Sequence, residues 1–511
     1  MFASVLSASI FGLEVCPVQV EADISDGLPS FSMVGFPTAQ VREAQDRVRT
    51  ALRNHQIRLP PKRVTVNLAP ADIRKEGSGF DLPVAAAILA AAGVLPPDSL
   101  AGVFMMGELS LNGELLPVSG VLPGVLKARE LSCRFCVIPM GNAEEADLVP
   151  DILKFGVSSL SQVIEILKNP QEAASAFSVC RKKRTKREET TVDFLDVQGQ
   201  ESARRAVEIA VSGFHNLLML GPPGGGKTML AKRIPTIMPG LSYEEKLELT
   251  RIYSIAGLLS PEHPLRETRP FRSPHHTCSP QALAGGGRNP RPGEITLAHR
   301  GVLFLDEMPE FSRRSLEVLR QPLEDRRILL SRVRGTCVFP ANFMLVAAMN
   351  PCPCGHFPDM ERCRCTPSEV SHYLGKISQP LLERLDICVE VSSVSFSDMK
   401  KYRGGESSAQ IQKRVERVQA VQKERYRKEV FSFNGEMGAG SIGKYCVLTP
   451  EGERLLERAY ETMELSPRSC HRILKVARTI ADMAGQEQIS AEHVGEALTY
   501  RALDKKFRSG G

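Results

Sequence analysis

Residues Gly221, Pro222, Pro223, Gly224, Gly225, Gly226, Lys227 and Thr228 run consecutively and fit the pattern G-x-x-x-x-G-K-[ST]. Glycines in that pattern let backbone N–H groups close around phosphate oxygens with no Cβ in the way. The lysine then reaches the β- and γ-phosphates of a nucleoside triphosphate, and the threonine hydroxyl ligates Mg²⁺. A glycine-rich turn with a chance lysine would look the same in isolation, so the flanks decide. Asn216 to Leu220 is an apolar run suited to a buried strand, and Met229 to Ile234 has helical character. A second run, Gly301 to Leu305, is followed by the carboxylates Asp306 and Glu307. That is expected of a buried parallel strand with a site at its C-terminal end. Asp306 is expected to hold Mg²⁺ through water, and Glu307 to orient and polarise an attacking water. A third apolar run, Phe343 to Met349, ends on Asn350. A polar side chain there can sense a γ-phosphate and position water.

Other clusters carry different chemistry. Cys352, Cys354, Cys363 and Cys365 form two C-x-C pairs in a stretch too short for a core of its own. Four thiolates can close a tetrahedral Zn²⁺ site, and the metal would supply the missing stability. The spacing is tighter than the usual C-x₂-C, and the alternative is free thiols in a reducing compartment. His275 and His276 are adjacent within a Pro-, Gly-, His- and Arg-rich insertion, 261–294. They lack the spacing of a zinc helix and a nearby third ligand, which fits a structural or DNA-facing loop better. Two β-like runs within 326–340 flank Arg334 and Gly335, predicting a hairpin with Arg332 and Arg334 at a basic tip. Arg181 to Arg187 holds six basic residues in seven. That run suits a solvated tether able to touch nucleic acid phosphates.

Positioning these residues takes more than one folding unit. With 511 residues, 42% hydrophobic and 24% charged, the chain has material for two to four domains and ample core. A formal charge of +6 is mild at this length and identifies no partner. Thirteen cysteines, several of them isolated in apolar runs, do not suggest a secreted disulfide framework; a reducing cytoplasm is expected. The opening residues lack the basic stretch of a signal peptide, and the longest apolar run, Val84 to Leu95, is too short for a bilayer, so no membrane partner is expected. Residues 1–170 predict an α+β unit. Strands are expected over Val15 to Ala22, Arg63 to Leu68 and Gly102 to Met106, and helices over Thr38 to His55 and Asp81 to Ala92. Residues 171–195 predict a basic linker and 196–400 an α/β nucleotide-binding core with a parallel sheet. That core contains the insertion, the hairpin and the cysteine cluster at 352–365, with a helix expected over Ser312 to Glu324. Residues 401–511 predict a helical region, with starts at Thr449-Pro450, Ser466-Pro467 and Ser490.

The order of motifs resembles the AAA+ superfamily, in the branch with magnesium chelatase and the MCM helicases, and within it the Mg-chelatase-like ComM/YifB family. Pro274 to Thr277, Gly285 to Gly287, Leu297 to Glu307 and Asn350 to Gly355 carry that resemblance. It implies a hexameric ATPase using ATP and Mg²⁺ and moving on DNA, as a helicase or branch-migration translocase in recombination of incoming DNA with other recombination proteins. The alternative is a chelatase-like motor that remodels a protein partner. The resemblance also places Arg384, in Leu381-Leu-Glu-Arg384-Leu-Asp386, where AAA+ rings carry an arginine that reaches a neighbouring subunit's γ-phosphate. The C-terminal helices resemble the AAA+ lid, whose second arginine would be Arg468, with Arg472 as the alternative one turn on. Gly107 to Gly120 is similar to the S5-type domain shared by Lon proteases and RadA. Lon's serine–lysine dyad would fall at Asp81 and near Leu122, with Lys127 close by, which implies a non-proteolytic relative.

Overall fold

The computed structural model describes residues 1–501 apart from 97, 180–191, 261, 288, 333–334, 358, 360 and 393–404. The basic run Arg181 to Arg187 and Arg334 therefore lie outside the described residues.

The N-terminal unit is built on a mixed seven-stranded sheet. Its strands run in the order Ser30–Val34, Arg63–Ala69, Glu14–Ser25, Phe2–Phe11, Val103–Met105, Phe135–Pro139 and Leu153–Val157. Val18, Val20, Ala22 and Ile24 alternate inward with more exposed neighbours, as a half-covered antiparallel strand requires. The helix Asp81–Ala91 is buried along its whole length, which its run of alanines and branched aliphatics permits. The helix predicted over Thr38 to His55 is two helices, Ala39–Arg42 and Ala44–Asn54, meeting at Glu43. The Thr38 hydroxyl oxygen accepts from the Val41 N–H and sets the first turn. Helix Pro170–Phe177 tucks Ala173 into the same core, so the unit runs past residue 170.

The second unit is a five-stranded, all-parallel sheet ordered Phe271–Arg272, Val302–Leu305, Met344–Met349, Leu217–Leu220 and Ile387–Glu390. Both faces are covered. Leu217, Met219, Val302 and Phe304 enter one core while Leu218, Leu220, Leu303 and Leu305 enter the other. Burial on two faces is why these strands read as unbroken apolar runs. The segment expected to be only an insertion instead contributes the edge strand Phe271–Arg272. Two residues cannot show a period, so the sequence gives no strand signal there. The helix predicted over Ser312 to Glu324 is also divided, into Arg313–Glu317 and Arg320–Asp325. The predicted hairpin forms, pairing Arg327–Arg332 with Gly335–Pro340.

Helices Ser408–Arg425, Pro450–Thr462, Pro467–Met483 and Ala491–Thr499 are the longer ones of the C-terminal region, beside the short helix Ala439–Tyr445. The Ser407, Thr449 and Ser466 side chains cap the first three. They share a core with helix Glu201–Gly213 and the P-loop helix Lys227–Ile237. Among the described residues no helix is long and apolar enough to cross a membrane. The two sheet units are docked. The Ser254 hydroxyl donates to buried Glu145 at 2.6 Å, and the Gly120 N–H donates to the Ser254 carbonyl at 3.1 Å. The hairpin also meets the N-terminal unit: a Cβ on Gly12 would lie 2.9 Å from Cys337 Sγ.

Candidate functional site

Strand register brings the first three motifs together. Leu220 pairs with Met349 on one side and with Glu390 on the other, and Leu305 pairs with Ala347. Gly221, Asn350 and Asp306 therefore all leave the sheet at its C-terminal edge, the ligand-binding edge of an open parallel sheet. Gly224 and Gly226 hold φ of 76° and 85°, the left-handed region that glycine occupies without penalty. Gly221 is required for a different reason: a Cβ there would meet the Val391 carbonyl oxygen at 2.1 Å. The helix Lys227–Ile237 starts directly after this loop with no side chain capping its first N–H groups. Free N–H groups, the helix dipole and a glycine cradle make an anion site.

The side chains around the cradle fit a Mg²⁺–nucleotide. Lys227 Nζ donates to the carbonyls of Gly221 at 2.6 Å and Pro222 at 2.9 Å and to Asn350 Oδ1 at 3.1 Å. Each of these is a neutral acceptor that phosphate oxygens can replace. Burial pushes the Lys227 ammonium down, while the charges of Asp306 and Glu307 pull it up. Thr228 Oγ1 donates to Asp306 Oδ2 at 2.7 Å, so a hydroxyl and a carboxylate suited to one hard cation already touch. Glu307 has φ 49°, a left-handed backbone unusual for a glutamate, and its N–H donates to Asp306 Oδ1 at 3.1 Å. Strain of this kind concentrates where a side chain must be aimed.

Sequence reasoning missed three neighbours of this cradle. Gln200 caps helix Glu201–Gly213 in the left-handed region, and its Nε2 donates to the Gly225 carbonyl at 3.2 Å. Gly355, within the cysteine loop, lies against Pro223; a Cβ on it would sit 2.4 Å from Pro223 Cδ. Tyr373, on helix Pro367–Leu374, has its hydroxyl near the Asn350 backbone. No pattern in the sequence marks these contacts, since each joins segments distant in the chain.

The four cysteines converge. Their sulfur atoms all lie within 4.8 Å of one another, and among the described residues this is the one such group able to hold a metal ion. Cys354 is exposed, Cys365 half-buried, and Cys352 and Cys363 buried. His275 and His276 are not part of it. Their rings sit 4.1 Å apart, with His275 Nδ1 bonded to the Thr277 hydroxyl at 2.9 Å.

Arg384 and Arg468 stand elsewhere, and together. Arg384 precedes the strand Ile387–Glu390, and the Asn216 side chain donates to its carbonyl at 2.9 Å, so it lies at the N-terminal edge of the sheet, away from Lys227. Its guanidinium pairs with Glu324 at 2.7 Å and donates to the carbonyls of Arg320 and Pro380. Arg468 pairs with the same Glu324 and with Glu383 at 3.5 Å. Both line an open groove of about 920 Å³ that also receives Arg472 and Lys475. Asp386 pairs with His215 at 3.6 Å rather than with Arg384.

The N-terminal unit holds no serine–lysine pair at the positions the Lon resemblance marks. Asp81 is fully buried and receives two hydrogen bonds from Arg47, at 2.7 and 2.9 Å, and one from the Leu109 N–H. Lys127 pairs with Glu130 at 2.8 Å. Arg332 is the last residue of the first hairpin strand.

Comparison with known proteins agrees with the geometry. Residues 193–399 match the family described as magnesium chelatase, subunit ChlI. Residues 20–142 match subunit ChlI of Mg-chelatase, and residues 405–501 its C-terminal family. The chain is 43% identical to competence protein ComM of Haemophilus influenzae over 98% of its own length and 97% of the relative's. It is 42% identical to the uncharacterized protein YifB of Escherichia coli over 97% and 96%. A shorter stretch, 34% of the chain, is 30% identical to Lon protease 2 of Bacillus subtilis, covering 35% of that protein.

Proposed function

This chain belongs to the ComM/YifB family of Mg-chelatase-like AAA+ ATPases, and from that premise we propose that it is an ATP-driven DNA motor working as a homo-hexameric ring in recombination of incoming DNA. One observation carries the ring: Arg384 and Arg468 share a groove at the sheet edge opposite Lys227. An arginine there has no route to its own P-loop. This position supports a role toward a nucleotide held by the next subunit, in which case hydrolysis needs two chains.

Within one active site the residues divide the work. The P-loop N–H groups and Lys227 bind the phosphates. Thr228 and Asp306 would hold Mg²⁺, which when bound would neutralise phosphate charge. Asn350 and Glu307 orient a water toward the γ-phosphorus, and Glu307 polarises it. Arg384, with Arg468, comes from the neighbouring chain and meets the charge that develops on the γ-oxygens. Glu324 keeps both guanidiniums extended until phosphate oxygens replace it.

The DNA step rests on the relation to the competence protein ComM and on the basic tip around Arg332 and Arg334. ATP turnover is measured with no DNA and with duplex, forked and three-stranded DNA, together with particle imaging. Stimulation by branched DNA, closed six-membered rings and strand displacement are the expected results. DNA affinity should fall steeply with salt and weaken in the double variant Arg332→Ala, Arg334→Ala, because phosphate neutralisation carries it. Turnover indifferent to every DNA, with no salt-dependent binding, would turn the assignment toward remodelling of a protein partner.

A further inference from the structure

We propose that Cys352, Cys354, Cys363 and Cys365 bind one Zn²⁺ whose function is to brace the nucleotide site, holding Asn350 and Pro223 in register for hydrolysis. The coupling rests on the ATPase assignment made above; the metal site rests on the cysteines alone.

Three of the sulfurs are spaced as in a tetrahedral centre, and the fourth, of Cys365, lies within 4.8 Å of them. Zn–S bonds of about 2.3 Å place the sulfurs of a regular tetrahedron roughly 3.8 Å apart. The separations are 3.3 Å for Cys352–Cys354, 3.6 Å for Cys354–Cys363 and 3.8 Å for Cys352–Cys363. A disulfide needs about 2.05 Å, and none of the four is in one. The Phe357 N–H points at Cys352 Sγ at 3.4 Å, and Gly355 takes the left-handed turn, φ 82°, just after the first pair. Backbone N–H groups directed at a sulfur offset thiolate charge, the usual outer support of a metal–thiolate site. Between the strand ending at Met349 and the helix starting at Pro367 the described residues form no helix or strand. The local apolar cluster consists of the cysteines with little beyond Phe357, Val370 and Leu374. A segment of that length needs a crosslink to hold one conformation.

Position makes the crosslink functional. Cys352 follows Asn350 by two residues, so the first thiolate pair anchors the end of the strand that presents Asn350. Gly355 rests against Pro223, on the loop that surrounds the phosphates. The second pair leads into helix Pro367–Leu374, whose buried Tyr373 brings its hydroxyl back toward the Asn350 backbone. The metal thus ties together two links to the Asn350 segment and one to Pro223. Asn350 in turn fixes Lys227 at 3.1 Å. Displacements near 1 Å at such a residue can lower turnover roughly a hundredfold.

The test uses the full chain. Metal analysis of protein purified without added metal is expected to give about one zinc per chain, as one four-cysteine site requires. Co²⁺ substituted for it should show the absorption of a tetrahedral thiolate site. Cys363→Ser should lose both. Two further variants separate bracing from folding. Gly355→Ala puts a Cβ into Pro223, and Tyr373→Phe removes only the hydroxyl that meets Asn350. Both are expected to keep the zinc and bind ATP within a few-fold of wild type, while kcat falls roughly tenfold or more. Wild-type protein with full turnover and no zinc overturns the metal site. Zinc-loaded Gly355→Ala and Tyr373→Phe with wild-type kcat overturn the brace. Zinc present in a wild type that never hydrolyses ATP overturns the ATPase assignment and the brace with it, and leaves the metal site standing.

Discussion

Lys227, Asp306 and Glu307 are charged residues within one site, yet their removal should have separable effects. Lys227 contacts two P-loop carbonyls and Asn350, so Lys227→Ala takes away the cation that phosphate oxygens would meet and should abolish ATP binding. Glu307 makes its hydrogen bond through the backbone, its N–H donating to Asp306, and its carboxylate follows the metal-site aspartate rather than forming the phosphate cradle. Glu307→Gln should therefore bind ATP within a few-fold of wild type while turnover falls by about 10²–10⁴, the usual worth of a positioned general base. Nucleotide-binding titration beside steady-state hydrolysis measures both. Equal loss of binding in the two variants would remove Glu307 from the role assigned to it. These residues were legible because their chemistry is local: a loop of fixed length and a strand ending in two carboxylates need no tertiary information. Gln200, Gly355 and Tyr373 were not, since each acts through a contact with a segment far away in the chain.

The sheet stands on a polar fixture at its other edge. Asn216 N–H donates to Asp386 at 3.1 Å, and the Asn216 amide bridges the Arg384 carbonyl and the Leu345 N–H, so the starts of three adjacent strands are pinned together. Burial by itself would push the Asp386 carboxyl up, but the His215 imidazole 3.6 Å away and the nearby cations outweigh it and hold the group down to about 2, from 3.8. A carboxylate depressed by folding stabilises the protein above its unfolded value and loses that contribution as pH falls through the folded one. The loss should span pH 3.8 down to about 2 and amount to roughly 2 kcal/mol. Thermal unfolding across that range should show a steeper decline for wild type than for Asp386→Asn. At this scale the sequence was readable wherever an element was long and its pattern unbroken. The two-face burial of Leu217–Leu220 and Val302–Leu305 is written in their composition. The two-residue edge strand Phe271–Arg272 is not, and neither are the breaks that divide the helices after Thr38 and Ser312. Those follow from what the neighbouring elements leave room for.

Lys227 and Arg384 lie at opposite edges of one sheet, so the proposed ring is the scale at which the site would be completed. In it each site would take its P-loop from one chain and its arginine from the next, a head-to-tail contact that a closed ring repeats. Arg384→Ala should bind ATP and assemble yet hydrolyse it about 10³–10⁵ times more slowly, in line with other arginine fingers. Lys227→Ala should also be inactive, for want of binding. Mixed one to one and allowed to exchange subunits, the two inactive proteins should recover activity. An interface works when its P-loop comes from the Arg384→Ala chain and its arginine from the Lys227→Ala chain, which random assembly provides at about a quarter of the interfaces of a head-to-tail ring. Recovered turnover near a quarter of wild type, rising and falling with the mixing ratio, is therefore expected if sites fire independently, and less if they must fire in sequence. No recovery in mixtures shown to exchange subunits would mean that Arg384 serves its own chain, which its place beside Asn216 and Glu324 gives no path to do.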